Sequence, residues 1–208
     1  MHGLEFHLTL NGSLMEALLV AVGAVGAWTI AYGLGWLYRR LSPPPSTMVY
    51  FSPRGGCTKA IVAELQAARS EILVMAYSFT HDPIVDAMIA AFKRKVKVQV
   101  ILDKDNEVAT YSDLVRIMNF GVPTLIDANH AIAHNKVIII DRKVVITGSF
   151  NFTAQAEANN AENLLIIKHQ PPVVNRYIRN FEEHQNHSRA PQPRAESGTT
   201  DKGKRTAA

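Results

Sequence analysis

The chain has 208 residues, a length that suits one domain of ordinary size with shorter segments attached to it. Its formal net charge is +4, but the residues from His187 to the end include five Lys or Arg and only two acids. That end therefore carries +3 and the rest of the chain only +1, which gives little support for a strongly basic nucleic-acid-binding face on the domain. The single cysteine, Cys57, excludes an internal disulfide.

An uncharged apolar stretch of 22 residues runs from Ala17 to Tyr38. At about 1.5 Å per residue, a helix of this length crosses the roughly 30 Å hydrocarbon core of a bilayer. Trp36 and Tyr38 lie at its end, where aromatic residues collect at membrane interfaces. A cleaved signal peptide is the alternative, but residues 1–16 contain no Lys or Arg, and signal peptides begin with positive charge. We therefore predict an uncleaved membrane anchor.

Positive charge follows the apolar stretch, at Arg39 and Arg40. The positive-inside rule then predicts a single-pass membrane protein with its C-terminal domain in the cytoplasm. A periplasmic location, or export through a signal peptide, is the alternative. The predicted organisation has five parts: an N-terminal flank (1–16), the transmembrane anchor (17–38), a proline-rich linker (39–47), a catalytic domain (48–185) and a disordered basic tail (186–208).

Apolar patterns with strand and helix periods alternate between residues 48 and 185, which indicates a layered α/β domain. The third helix of the chain begins at Asp82 and Pro83, a predicted cap followed by a first-turn proline. We predict strands at Met48–Phe51, Ile72–Tyr77, Val96–Leu102, Val122–Ile126, Val137–Ile140, Val144–Thr147 and Leu164–Ile167, and helices at Lys59–Ala68, Asp82–Arg94, Ser112–Phe120 and Pro172–His184.

Polar residues with complementary chemistry surround two of these strands. His134 and Lys136 stand at the start of the first, and because strand side chains alternate between faces, the two point to the same side. Ser149 and Asn151 follow the second strand. The carboxylate that we assign to the site, Glu162, comes later in the chain. An ammonium, hydroxyls and an amide suit a bound phosphate, and an imidazole can serve as nucleophile or proton carrier near neutral pH.

The joint pattern is H-x-K-x4-D from His134, then G-S-x-N from Gly148, then N-x-E ending at Glu162. This pattern resembles the H-K-D box and trailing G-S-x-N of the phospholipase D superfamily, over about Tyr50 to Phe181. The chain resembles most the small bacterial phospholipase-D-type endonucleases, and next the mitochondrial cardiolipin hydrolase and Zucchini branch. That second branch often carries a zinc-finger insertion after its first strand, where this chain has only the four residues 54–57.

The resemblance implies a fold, a reaction and a set of roles. The fold is an α-β-α layered domain with a mixed central sheet. In the reaction, a histidine attacks phosphorus to form a phosphohistidine, a second histidine protonates the leaving oxygen, and water cleaves the intermediate. The implied roles are His134 as nucleophile, Lys136, Ser149 and Asn151 as phosphate-binding residues, Glu162 as the acid that orients His134, and Asp141 as structural support.

No cofactor or metal is implied for this chemistry, and the sequence has no close cluster of Cys or carboxylates that would hold one. The reaction needs two box histidines, whereas no other histidine of this chain is followed by Lys two positions on. We therefore predict a homodimer with a composite active site, and the alternative is that His130 supplies the acid within a monomer. The predicted substrate is DNA or RNA, with membrane phospholipid as the alternative.

Overall fold

The computed structural model describes residues 12–41, 43–108 and 113–192. Residues 1–11 of the predicted flank and 193–208 of the predicted tail lie outside this range. The chain divides into two units between Pro44 and Pro45. The first unit contains one 30-residue helix, α1 (Gly12–Leu41), and its stretch Gly12–Leu37 is long and apolar enough to cross a membrane. The predicted anchor lies inside this helix.

The second unit contains one mixed sheet of seven strands in the order β1-β7-β6-β5-β2-β3-β4. The pairs β2–β3 and β3–β4 are parallel, and the other four pairs are antiparallel. The strands are β1 (Ser46–Ser52), β2 (Glu71–Ala76), β3 (Lys97–Asp103), β4 (Thr124–Asp127), β5 (Lys136–Ile140), β6 (Val144–Gly148) and β7 (Glu162–Lys168). The helices are α2 (Cys57–Ala67), α3 (Asp82–Lys93), α4 (Asp105–Val108), α5 (Leu114–Asn119), α6 (Ala154–Ala158) and α7 (Pro171–His187).

Alternating strand residues build two apolar layers, one on each face of the sheet. On the first face, Val74 of β2 and Ile138 of β5 pack with Ile61 of α2 and Met88 of α3. On the second face, the neighbouring strand residues Leu73, Met75, Val137 and Ile139 pack against Val174, Ile178 and Phe181 of α7. Helices therefore cover both faces of a mixed sheet, and the predicted layered α/β fold is confirmed.

The start of α3 differs from its prediction. His81, with extended backbone, occupies the N-cap position, and its side chain makes no capping hydrogen bond. Asp82 lies inside the first turn, where its carboxylate accepts a 2.7 Å hydrogen bond from Arg116. The prediction of Asp82 as the cap is therefore wrong, because a guanidinium from α5 engages its carboxylate instead.

The end of α7 also differs from its prediction. The helix continues to His187, and the backbone of Arg189 then exchanges two hydrogen bonds with Ile126 of β4, at 2.8 and 3.0 Å. The Arg189 guanidinium binds both carboxylate oxygens of Glu107, at 2.9 and 2.6 Å. The prediction of disorder from Asn186 is therefore wrong for residues 186–189, because long-range pairing that composition does not reveal holds them to the sheet.

Candidate active site

The residues predicted for phosphate chemistry lie along one edge of the sheet. β5 begins with Lys136, which is paired with Ala76 at the end of the antiparallel strand β2. β7 begins with Glu162, which is paired with Ser52 at the end of β1. Between them, β6 ends at Gly148. Because all of these neighbours are antiparallel, strand beginnings and strand ends alternate along the same edge.

His134 lies two residues before β5, in the loop that connects it to β4. Its side chain is exposed, and its ring packs against Tyr77 with ring centroids 4.7 Å apart and planes inclined by 57°. The loop backbone is tied to the same region, since the Tyr77 N–H donates to the carbonyl of Asn135 at 2.9 Å. The imidazole is therefore held against an aromatic ring while remaining open to a substrate.

Lys136 is 7% exposed, which is unusual for a lysine. Its ammonium donates to the carbonyl of His134 at 3.1 Å, and Nζ lies 5.1 Å from the centroid of the Tyr77 ring. Burial lowers the pKa of Lys136, and the negative charge of Glu162 opposes this shift. One carbonyl uses only part of the donor capacity of an ammonium, so Lys136 can also bind a phosphate oxygen.

Glu162 is half-buried, and its Oε1 accepts a hydrogen bond from the amide of Asn160 at 3.1 Å. Asn160 is fixed in turn by Ser52, whose hydroxyl donates to the Asn160 carbonyl at 2.9 Å. Among the described residues, the Glu162 carboxylate is thus hydrogen-bonded to Asn160 and not to His134. The structure brings Glu162 close enough to Lys136 to act on its pKa.

Ser149 and Asn151 follow β6. The Ser149 hydroxyl accepts hydrogen bonds from the backbone N–H of Asn163 at 3.1 Å and from its side-chain amide at 3.3 Å. Asn151 presents a buried Oδ1 that has no hydrogen-bond partner. A buried polar atom without a partner destabilises the fold by about 1–3 kcal/mol. A half-turn of the Asn151 amide would put its NH₂ group where Oδ1 now lies. Asn151 therefore carries a side-chain amide whose hydrogen bonding is incomplete.

Asp141 lies at the other end of β5, in a left-handed backbone conformation with φ of 52°. Its carboxylate accepts hydrogen bonds from the backbone N–H groups of Arg69, Ser70 and Glu71 and from the Ser70 hydroxyl, at 2.7 to 3.2 Å. Burial works against the charged form, but these hydrogen bonds prevail and lower the pKa of Asp141. The carboxylate thus ties the turn after β5 to the segment that enters β2.

Sequence reasoning did not identify a second cluster of titratable side chains, formed by Asp127, His130, His184 and His187. Their ligand-type nitrogen and oxygen atoms all lie within 4.8 Å of one another. The ring of His130, the alternative acid, faces the carboxylate of Asp127 with Nδ1 and Oδ2 2.9 Å apart. The sequence signals were a D-x2-H and an H-x2-H spacing, at Asp127–His130 and His184–His187.

Comparison with known proteins identifies one matching protein family and several similar proteins. Residues 61–185 match the family described as "Cardiolipin synthase, PLD-like domain". A phospholipase D of Rickettsia typhi is 44% identical over 131 residues, which are 63% of this chain and 64% of that protein. The chain therefore spans less than two thirds of the length of that relative. A mitochondrial cardiolipin hydrolase of Xenopus laevis is 27% identical over 187 residues, covering 76% of this chain and 89% of the other.

One solved structure has high similarity in both sequence and fold. It is a phospholipase D family member, Nuc, from Salmonella typhimurium, with a TM-score of 0.67 and 36% sequence identity. The superposition covers 70% of this chain and 97% of that one. The matched part of this chain thus corresponds to nearly the whole of that structure.

Proposed function

Since the chain belongs to the phospholipase D superfamily, we propose that it is a metal-independent phosphodiesterase that works through a phosphohistidine intermediate. The observation that carries this proposal is the arrangement at the sheet edge. An exposed imidazole, His134, stands directly beside a buried ammonium, Lys136, whose Nζ binds the His134 carbonyl. Asn151 adds a side-chain amide at the position of its unpartnered oxygen, and after a half-turn its NH₂ group would donate to a phosphate oxygen.

In the first step, a ring nitrogen of His134 attacks phosphorus. The P–N bond forms while the P–O bond to the leaving group breaks, and a second imidazole gives its proton to the departing oxygen. Lys136 and Asn151 bind the non-bridging oxygens, on which negative charge accumulates. Because Lys136 is buried, its charge acts on these oxygens with little screening by water.

In the second step, water attacks the phosphorus of the phosphohistidine. The P–N bond breaks and its electron pair returns to His134, while the second imidazole takes the proton from the water. Both steps need the same two imidazoles, so the rate depends on holding them on opposite sides of phosphorus. We propose that the second imidazole is His134 of a partner subunit, related by a two-fold axis that passes through the site.

We propose nucleic acid as the substrate. Two features support this choice: the resemblance to the small bacterial endonuclease branch, and the coverage of nearly all of Nuc by this domain. The exposed position of His134, in the loop before β5, also leaves room for a long polymer to pass. Phospholipid is the second candidate, favoured by helix α1, which would hold the domain at a lipid surface, and by relatives named phospholipase D and cardiolipin hydrolase.

The test uses the full chain in detergent micelles with His134→Ala as the matched inactive control. Single-stranded and double-stranded DNA, RNA, and cardiolipin or phosphatidylcholine vesicles are offered in separate assays. Cleavage of DNA or RNA by the wild type but not by His134→Ala supports the endonuclease proposal. Release of a lipid headgroup with intact nucleic acid supports the alternative. Failure to cleave any of them would contradict both.

The effects of salt and of divalent metal ions on activity provide two further tests of the proposed mechanism. Cleavage of nucleic acid should weaken steeply with salt, because each Lys or Arg contact to a phosphate releases bound counterions. Activity should not require added Mg²⁺ or Ca²⁺, because the imidazole and the ammonium supply the nucleophile and the positive charge. A loss of activity in EDTA that only Mg²⁺ or Ca²⁺ restores would contradict the phosphohistidine route.

A further inference from the structure

Three histidines converge on a single buried carboxylate at the end of β4. Asp127 is 0% exposed, and its Oδ2 lies 2.7 Å from Nδ1 of His184, 2.9 Å from Nδ1 of His130 and 3.3 Å from Nε2 of His187. The three rings surround the same point, with centroids 4.9 to 5.3 Å apart. None of these four side chains belongs to the group proposed for phosphate chemistry.

The backbone fixes this convergence. Ile126, directly before Asp127, pairs with Arg189 through two backbone hydrogen bonds. Helix α7 ends just before Arg189, and residues three apart on a helix lie on the same face, so His184 and His187 both turn toward the end of β4. The four side chains therefore meet because of strand and helix geometry.

Hydrogen bonding alone would require all three rings to turn an N–H toward one carboxylate. Three imidazole nitrogens lie within 3.3 Å of Oδ2 of Asp127, and Nδ1 of His130 also lies 3.2 Å from Oδ1. The other oxygen, Oδ1, already accepts the backbone N–H of Asn129 at 3.0 Å. A cation at the centre of the cluster would remove this crowding, because each imidazole would then offer a lone pair to the ion.

The donor set and its spacing fit one metal particularly well. Zinc binds imidazole nitrogen and carboxylate oxygen at about 2.0–2.2 Å in a tetrahedron, whose ligand atoms lie roughly 3.3 Å apart. The Asp127–histidine distances of 2.7 to 3.3 Å are near this value, and all four ligand atoms lie within 4.8 Å of one another. Four protein ligands complete the tetrahedron, as in structural zinc sites.

We propose that Asp127, His130, His184 and His187 bind one structural zinc ion. The ion joins the last turn of α7 to the loop between β4 and β5. That loop is also held by the buried carboxylate of Asp103, which accepts the N–H of Ala133 at 2.6 Å. Asn129 supports the zinc ligand from outside, since its N–H fixes the orientation of Asp127.

The first test measures zinc in the full chain, purified in detergent micelles through an affinity tag that contains no histidine. The variants are His187→Asn and a matched control, His169→Asn. His169 lies outside the cluster with φ of 56°, a left-handed conformation that Asn tolerates. After zinc loading and dialysis, mass spectrometry should find about one zinc per chain in the wild type and the control, and less than about 0.2 in His187→Asn. Equal zinc in all three proteins, or less than about 0.2 in the wild type, would overturn the proposal.

The second test needs only the wild type and decides the question if His187→Asn does not fold. The stripped protein is titrated with Co²⁺, which gives visible absorption bands in a tetrahedral site. The bands should saturate at one equivalent and disappear when Zn²⁺ is added. Zinc should also raise the melting temperature by about 5 °C or more, because it binds the folded state preferentially. No saturation at one equivalent, or melting curves that zinc does not move, would identify the cluster as a hydrogen-bonded network only.

The zinc proposal stands apart from the proposed hydrolysis, and one readout keeps them distinguishable. If EDTA strips the ion and lowers both the melting temperature and the activity, zinc alone should restore both. Zinc binding by an inactive protein would leave the metal site intact and contradict only the enzymatic proposal. Hydrolysis by a protein that binds no zinc would support the enzymatic proposal and contradict only the zinc site.

Discussion

The ammonium of Lys136 donates a hydrogen bond to the backbone carbonyl of His134, with Nζ and the oxygen 3.1 Å apart. The first residue of a buried strand thereby holds the exposed loop residue that precedes it. Tyr77 contacts both side chains, since its ring packs on the imidazole and lies under the ammonium. The sheet edge thus supports an imidazole beside a positive charge, and the proposed phosphohistidine route uses both groups.

We expect His134→Ala to abolish turnover, because the variant loses the nucleophile and, in a composite site, the acid as well. General acid–base assistance alone is worth about 10²–10⁴ in rate. The measurement is single-turnover cleavage at saturating enzyme, with His169→Asn as the histidine control. Activity above about a tenth of wild type would show that His134 is not the nucleophile.

Glu162→Gln should slow the reaction less than His134→Ala, because it removes negative charge while sparing the attacking nitrogen. The amide oxygen that this substitution introduces can still accept the hydrogen bond from Asn160. Acid-labile, base-stable phosphate attached to the protein should therefore still accumulate in this variant, only more slowly. The check is rapid quenching with a ³²P-labelled substrate. Equal loss of rate in the two variants would assign Glu162 a direct chemical role.

Phosphate binding should fail at high pH, because burial lowers the pKa of Lys136 and phosphate binds only the charged ammonium. Glu162 opposes this shift, so Glu162→Gln should move the loss of binding to a still lower pH. The measurement is a titration of inorganic phosphate into His134→Ala above about pH 8. Phosphate remains a dianion in this range, so a change in its binding reports the charge of Lys136. Identical pH profiles with and without the Glu162→Gln substitution would contradict the coupling.

Asp141→Asn should destabilise the fold without entering the chemistry. The carboxylate accepts hydrogen bonds from three backbone N–H groups, and an amide can replace only part of this set. Because Asn tolerates the left-handed conformation at this position, the loss reports the hydrogen bonds, at about 1–3 kcal/mol. Urea unfolding measures it, and Asp86→Asn, which loses an exposed ion pair, should stay within about 0.5 kcal/mol of wild type.

The same residue predicts a pH dependence of stability. Hydrogen bonding keeps the folded pKa of Asp141 below the value of the unfolded chain despite burial. Its contribution to stability is therefore fully present above the unfolded pKa and is lost as the pH falls through the lower, folded value. The stability difference between wild type and Asp141→Asn should shrink in acid. A constant difference down to about pH 2 would contradict this assignment.

The sheet could be predicted because its central strands are continuous β-branched or apolar runs, such as the buried residues Val137–Ile140 of β5. The predicted phosphate-binding residues lie at the start of β5 and just after the end of β6, and because these consecutive strands are antiparallel, the residues share one edge of the sheet. Helices α4 and α6 were missed because four and five residues are too few to reveal a helical period.

The histidine cluster was not found from the sequence for a different reason. His184 and His187 lie 57 and 60 residues from Asp127, and the pairing of Arg189 with Ile126 brings the two segments together. Neither of the short spacings, D-x2-H and H-x2-H, identifies a site alone. A long-range contact of this kind depends on packing, which no local pattern encodes.

A composite active site predicts how wild-type and inactive chains behave when mixed. Two differently tagged chains, wild type and His134→Ala, are co-expressed in equal amounts and purified together in detergent. If two copies of His134 are needed and subunits pair at random, about a quarter of the dimers contain both. Activity per total chain should then fall to about a quarter of wild type, since a mixed dimer has lost either its nucleophile or its acid. Independent monomers would retain about half, which would contradict the dimer.

In that case the acid must come from within the same chain, and His130→Asn would test the alternative acid directly. The ring of His130 is already engaged by Asp127, so this variant should change zinc content and melting temperature rather than remove the acid.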